Sequence, residues 1–151
     1  MTDTNLYALF RRRFPEDDAA VFLDAIDRPS LRYASVDERT GQLLDVLRSK
    51  GVQNGDRVVA QVDKSIEAVL LYLACLRAGA IYIPLNTAYT AAEVAYFLND
   101  ATPQLFVCTP ARLDELKAVA SKCRVPRLLT LGGSGDGDLV QALESLPASE
   151  Q

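Results

Sequence analysis

The spacing of apolar residues changes at Gly55, and the change divides the chain into two kinds of pattern. Before it, Leu6, Leu9 and Phe10 share one side of a short amphipathic helix predicted over Thr4 to Arg13. Pro15-Glu16-Asp17-Asp18 reads as a turn. Ala20-Val21-Phe22-Leu23 and Leu31-Arg32-Tyr33 read as two short strands, with Asp27-Arg28-Pro29-Ser30 as the hairpin turn between them. Ser35-Val36-Asp37-Glu38 has the spacing of a capping box, in which side chains satisfy the first free amides of a helix. Val36, Thr40, Leu43, Leu44 and Leu47 then recur at helical spacing, so one stripe is expected to be buried. Lys50-Gly51 closes that helix with a cation in the last turn and a C-cap glycine.

From Arg57 the pattern alternates strand and helix. Val58 to Val62, Ile81 to Ile83, Leu105 to Cys108 and Arg127 to Leu131 are the apolar strand candidates. Helices are predicted over Ser65 to Ala78, Thr90 to Asn99, Pro110 to Ser121 and Asp138 to Leu146. Thr90-Ala91-Ala92-Glu93 is a second capping box, and Thr109-Pro110 sets an N-cap before a first-turn proline. Repeated βα units with strands apolar on both sides predict an α/β fold: a mostly parallel sheet, helices on both faces, right-handed crossovers. Residues 1–54 are expected to form an N-terminal helix, short hairpin and capped helix. Residues 55–146 are the βα units of the same domain, and residues 147–151 are a tail. The helix over Ser65 to Ala78 is apolar on nearly every side, which predicts burial from more than one direction. Its cover is either a neighbour outside this chain or the chain's own remaining elements.

Composition narrows the function classes. The chain has 151 residues, enough for one domain with a sizeable core, with 49% apolar and 24% charged residues as in ordinary globular proteins. A net charge of −4 argues against non-specific nucleic-acid binding, which needs clustered cations. The basic run Arg11-Arg12-Arg13 sits at a helix end, where cations complement the dipole. Histidine is absent, which removes imidazole as general base or metal ligand. Cys75, Cys108 and Cys123 are odd in number and widely spaced, reading as thiols in a reducing compartment rather than a disulfide frame or zinc site. The acidic start Met1-Thr2-Asp3 lacks the features of an export signal. Glu67, Arg77 and Gly79 interrupt the most apolar run, short of the ~20 residues a bilayer requires. A soluble protein with a cytoplasmic address is expected, with no membrane and no nucleic-acid partner.

Candidate chemistry is sparse. Gly132-Gly133-Ser134-Gly135-Asp136-Gly137 lies between strand and helix, where phosphate loops occur. No lysine follows these glycines, Asp138 stands at the third-glycine position of G-x-G-x-x-G, and Asp136 adds further negative charge, so a connector is expected. Ser134 lacks the G-x-S-x-G context of a nucleophile. Asp63, Glu67, Glu93 and Asp100 are the carboxylates nearest a plausible site, and nothing in the sequence ties them into a pair. Tyr82, Tyr89 and Tyr96 lie near a predicted strand end, where α/β sheets bind ligands, but core packing explains them as well.

Ser30-Leu31-Arg32-Tyr33-Ala34, Gly55-Asp56-Arg57-Val58, Glu67-Ala68-Val69, Leu76-Arg77-Ala78-Gly79-Ala80 and Tyr82-Ile83-Pro84-Leu85-Asn86-Thr87-Ala88-Tyr89-Thr90 together resemble the opening part of the AMP-forming acyl-CoA synthetases, in the adenylate-forming superfamily. The segment from Pro84 to Thr90, with Gln61-Val62-Asp63-Lys64-Ser65, is most similar to the malonyl-CoA synthetase branch. The resemblance spans roughly Leu6 to Leu146. It implies an enzyme that adenylates a carboxylate with ATP and then passes the acyl group to CoA, with magnesium required. In that family the phosphate-binding loop would follow position 151, so the chain is expected to be an N-terminal portion acting as scaffold and inactive alone. No residue here carries over as catalytic, cofactor-binding or metal-ligating, and no cofactor is expected for this chain itself. ATP, magnesium and CoA are implied for the full-length enzyme. The implied partner is the remainder of that enzyme, with self-association through uncovered apolar surface as a corollary. The alternative is a free-standing, non-catalytic regulatory or interaction module, with a flavodoxin-like or receiver-like domain as a third reading.

Overall fold

Val58 and Ala60 face one side of a strand, Val59 and Gln61 face the other, and all four are buried. A strand covered on both faces belongs in the middle of a parallel sheet. The computed structural model, which describes residues 5–146, places it there. This strand, β3 (Arg57–Gln61), pairs with β4 (Ile81–Pro84) on one side and β5 (Leu105–Cys108) on the other, and β6 (Arg127–Thr130) lies beyond β5. All three pairings are parallel, and Val58 stands in register with both Tyr82 and Leu105. β4 is thus an edge strand, and it carries Pro84.

Parallel neighbours need crossovers, which α3 (Ile66–Ala78), α4 (Ala91–Ala101) and α5 (Leu113–Lys122) supply. Two cores result. On one face Val58, Ala60, Leu105 and Val107 pack with α3 and with α2 (Val36–Ser49), joined by α1 (Leu6–Arg11) and α6 (Asp138–Glu144). On the other, Val59, Phe106 and Cys108 pack against Val94 and Leu98 of α4 and Leu116 and Ala120 of α5. A two-stranded antiparallel ribbon, β1 (Val21–Ala25) and β2 (Arg28–Arg32), stands apart from the main sheet. Phe14, Phe22 and Tyr33 hold its base, with ring centroids 4.9 Å (Phe14–Tyr33) and 5.0 Å (Phe22–Tyr33) apart.

The predicted strands and crossover helices form within a few residues of their expected bounds. Thr90 caps α4 through Glu93 N–H, as its spacing predicts, and Ser65 caps α3 through Ala68 N–H. Gly51, at φ +85°, ends α2 with paired bonds from Gly51 N–H to Arg48 and Val52 N–H to Leu47.

Several expectations change. Ser35 has helical φ and ψ and makes no cap bond, because a 3₁₀ turn over Tyr33–Ser35 feeds directly into α2. The Asp37 carboxylate instead accepts hydrogen bonds from the Tyr7 hydroxyl and Arg11 Nε. Thr109 likewise makes no cap bond, and Pro110–Arg112 form a 3₁₀ turn before α5 begins. The hairpin turn is Ile26-Asp27, with Asp27 at φ +59°, so Arg28, Pro29 and Ser30 belong to β2. In α1 the expected apolar stripe is partly exposed, with Leu9 at 48%, and Tyr7 is the buried residue. Its ring lies 5.0 Å beneath the Arg77 guanidinium, which gives an aromatic with a hydroxyl the better fit there. Residues 147–151 lie outside the described residues.

Helix α3 is covered by the chain itself over most of its apolar surface. Leu70, Leu71, Leu73, Ala74 and Cys75 are buried. Val69 and the half-exposed Tyr72 face an open groove.

Candidate functional site

Open α/β sheets bind ligands at the carboxyl ends of strands, where successive crossovers leave in opposite directions. Here that point lies between β3, whose crossover leads to β4, and β5 on its other side. Gln61 ends β3 with a side chain only 2% exposed. Its Nε2 donates to the carbonyl oxygens of Asn86 (2.8 Å) and Tyr89 (3.3 Å), and its Oε1 accepts from Arg112 Nη1 at 2.9 Å. Arg112 Nη1 also donates to Tyr89 O at 2.9 Å. The polar groups of the crevice therefore bond one another and fix the Asn86–Thr90 connection to α4. This is a structural knot rather than a set of groups waiting for a ligand.

A groove of about 710 Å³ lies between the ribbon and α3. Leu23 and Ala25 line one wall, Val69 and Tyr72 the other, with Tyr82 and Val62 beneath. Ile26, at the ribbon tip, is 91% exposed, and Asp63, Lys64 and Arg28 sit at the margins. Mostly apolar lining with charge at the rim suits docking of another apolar surface.

An ion cluster holds this groove's ribbon in place. Glu67, a buried carboxylate on α3, receives Arg28 Nη1 at 2.7 Å and Nη2 at 2.5 Å, and Arg39 Nη2 of α2 stands 3.7 Å away. The two-pronged hydrogen bond from Arg28 holds the Glu67 carboxyl below its ordinary range, outweighing the opposing effect of burial. A carboxyl depressed in the folded state contributes stability above its unfolded value of about 4.3, and that contribution disappears as pH falls through the lower folded value. Urea unfolding followed from pH 7 to pH 3 should show this loss in the parent chain. Glu67→Gln should be less stable at pH 7 and lose less on acidification; parallel profiles would contradict the assignment.

The glycine loop is used internally. Gly132 N–H bonds Asp136 O at 2.7 Å, Gly135 N–H bonds Gly132 O at 3.1 Å, and Ser134 Oγ donates to Asp136 Oδ1 at 2.8 Å. Asp138 N–H donates to Thr130 Oγ1 at 3.0 Å, while its carboxylate accepts from Thr130 N–H and Oγ1. Acidic side chains occupy the positions a phosphate would need. The loop crosses the ion cluster at Gly135 (φ +81°), where a Cβ would lie 2.7 Å from Arg28 Nη2.

The sequence candidates are not brought together. Asp63 lies at the groove margin, Glu67 is in the ion cluster, Glu93 belongs to the Thr90 cap, and Asp100 is near the other end of α4. Tyr82 packs edge-on to Tyr72, Tyr89 stacks on Phe97 with planes 12° apart, and Tyr96 points outward. Burial pushes the Cys75 thiol up to about 12 and the Cys108 thiol up to about 11, while Cys123 is half-buried. Among the described residues no three His, Cys, Asp or Glu side chains converge to hold a metal ion, and no helix is long and apolar enough to cross a membrane. Sequence reasoning missed Arg28, Arg39 and Arg112. Only the position of Gln61 on an otherwise apolar strand hinted that a polar partner must meet it.

A family model described as AMP-binding enzyme matches residues 9–150. The chain belongs to that family. It is 40% identical to MatB from Rhodopseudomonas palustris in its apo crystal structure, with a TM-score of 0.86, over 93% of this chain and 28% of that one. It is 32% identical over 120 residues to the probable CoA ligase CCL9 of Humulus lupulus, covering 80% of this chain and 22% of that protein. A benzoate CoA ligase from Burkholderia xenovorans LB400 shares the fold, with a TM-score of 0.80 at 19% identity, covering 96% of this chain and 29% of that one. The chain thus corresponds to the N-terminal part of adenylate-forming enzymes and spans about a quarter of the length of these relatives.

Proposed function

We propose that this chain is the scaffold portion of a cytoplasmic acyl-CoA ligase that converts malonate, ATP and CoA to malonyl-CoA, AMP and diphosphate. The observation that carries the reading is the likeness to MatB, a malonyl-CoA synthetase, at 40% identity across 93% of this chain. In such a reaction the malonate oxygen attacks the α-phosphorus of ATP and releases diphosphate. The CoA thiol then attacks the acyl carbon and releases AMP. The groove beside Tyr72 and Tyr82 is the surface against which the rest of the ligase packs, and its apolar lining would also drive self-association of the chain alone.

The test pairs the isolated chain with a chimera in which it replaces the corresponding part of R. palustris MatB. Diphosphate release with malonate, ATP, magnesium and CoA should stay at the blank level for the isolated chain. The chimera should retain malonate-dependent turnover within about tenfold of MatB. Robust turnover by pure isolated chain would overturn the scaffold role, and a folded chimera that prefers another acid would overturn malonate.

A further inference from the structure

The amino-terminal edge of the sheet is positive in a chain whose net charge is −4. Arg57 begins β3 and Arg127 begins β6. Val58 and Arg127 are both in register with Leu105, so the two arginines lie about two strand spacings, ~10 Å, apart. Strand alternation leans them to opposite faces, so positive charge spans the thickness of the sheet. Arg48 and Lys50 add to it at the end of α2, where Lys50 O accepts from Gln104 Nε2 at 3.1 Å and Gln104 N–H donates to Arg57 O at 2.9 Å. Lys122 and Arg124 add to it at the end of α5. Arg48, Arg57, Lys122, Arg124 and Arg127 are exposed, and none makes an ion pair or side-chain hydrogen bond among the described residues. Asp45, one turn before Arg48 on α2, Asp56 and Asp100 are nearby opposing charges, and Asp56 already accepts from Gln53 N–H at 2.8 Å.

Helix-dipole compensation explains cations at the ends of α2 and α5. It does not explain Arg57 and Arg127 at strand starts, nor the backbone of Arg124. Arg124 sits at φ +58° in the turn that ends α5, with Arg124 N–H bonding Ser121 O and Val125 N–H bonding Ala120 O. The equivalent turn after α2 uses Gly51. Glycine is the unstrained choice there, so retaining arginine keeps a cation at the expense of backbone comfort.

We propose that this edge docks an acidic amphipathic helix of a partner protein. Carboxylates at i and i+7 of a helix lie about 10 Å apart, comparable to the backbone separation of Arg57 and Arg127, and the net positive charge of the edge complements an acidic helix laid across it. Ile81, 49% exposed and in register with Arg57, supplies an apolar contact for the helix. One isoleucine is too little to enter a bilayer, and among the described residues the exposed large apolar side chains include no aromatic on this edge with which bases could stack.

The probe is a fluorescein-labelled, alanine-rich helical peptide with glutamates at i, i+4, i+7 and i+11, titrated with the full chain. Inorganic polyphosphate and phosphatidylserine vesicles are titrated in parallel. Binding of the peptide should weaken at least tenfold between 50 and 300 mM NaCl. Arg57→Glu combined with Arg127→Glu should weaken it at least tenfold, whereas Arg32→Glu on the ribbon should leave it unchanged. Arg124→Gly separates this from a structural role: it should raise Tm while weakening the peptide several-fold, and it remains informative where the double reversal fails to fold. No binding at 50 mM NaCl, tighter binding of polyphosphate or vesicles, or indifference to the arginine changes would each overturn the proposal.

Discussion

Phe106→Ala is expected to destabilise the chain by about 3–5 kcal/mol, the usual cost of removing a buried aromatic side chain. Phe106 is on the central strand β5, fully buried between α4 and α5 and in register with Val59 and Leu128. Neighbours on three sides belong to different elements, so no single shift can close the space left behind. For a chain of this size, 1 kcal/mol displaces Tm by about 2–4 °C, which predicts a fall of about 6–20 °C. The chain has no tryptophan, so far-UV circular dichroism during urea and thermal unfolding is the appropriate readout. Tyr96→Ala, removing a side chain of a residue 68% exposed, should stay within about 0.5 kcal/mol of the parent. Equal effects for the two would mean that the second core is not packed as described.

Gly137→Ala should be comparably damaging for a different reason. Gly137 has φ +111° and ψ 169°, a conformation almost confined to glycine. A Cβ there would also meet the Thr130 carbonyl oxygen and stand 2.7 Å from its carbon and 3.1 Å from Leu131 Cα. These are backbone atoms at the end of β6, which cannot swing aside like a side-chain tip. Strain of about 1–3 kcal/mol and overpacking of a similar size together give an expected loss of about 2–6 kcal/mol. The same unfolding curves measure it. Gly55→Ala is the comparison, since nothing lies within 4 Å of a Cβ at Gly55 and only its φ of +85° is at stake. A loss at Gly137 no larger than at Gly55 would show that β6 and the loop yield to one another.

The parallel sheet was legible because each strand is a short apolar run bounded by turn residues, and burial on both faces leaves few alternatives. The Thr90 cap was legible for the same local reason. The Ser35 cap was not, since the chain enters α2 through a 3₁₀ turn over Tyr33–Ser35 that puts Ser35 itself in helical backbone geometry. The hairpin turn was misplaced because Pro29 reads as a turn residue, although a proline can sit in a strand of an unpaired ribbon edge. The two polar devices of the site were almost invisible. Glu67 reads as an interruption in an apolar helix, and its partners Arg28 and Arg39 come from a strand and a helix far earlier in the chain. The pairing of Gln61 with Arg112 likewise spans the whole of α3, β4 and α4. Charge pairs separated so widely leave no periodicity to read.

The edge strand β4 has a consequence for how this molecule behaves in a crowded cell. Ile81 and Leu85 turn their N–H groups inward to Asp56 and Ala60 of the neighbouring segment. The outward positions are Tyr82 and Pro84, and proline has no N–H to offer. A passing extended chain would find one amide donor along the strand instead of a continuous ladder. Templated β-aggregation is therefore discouraged at this margin of the sheet, even while the apolar side chains beside it stay available for recognition.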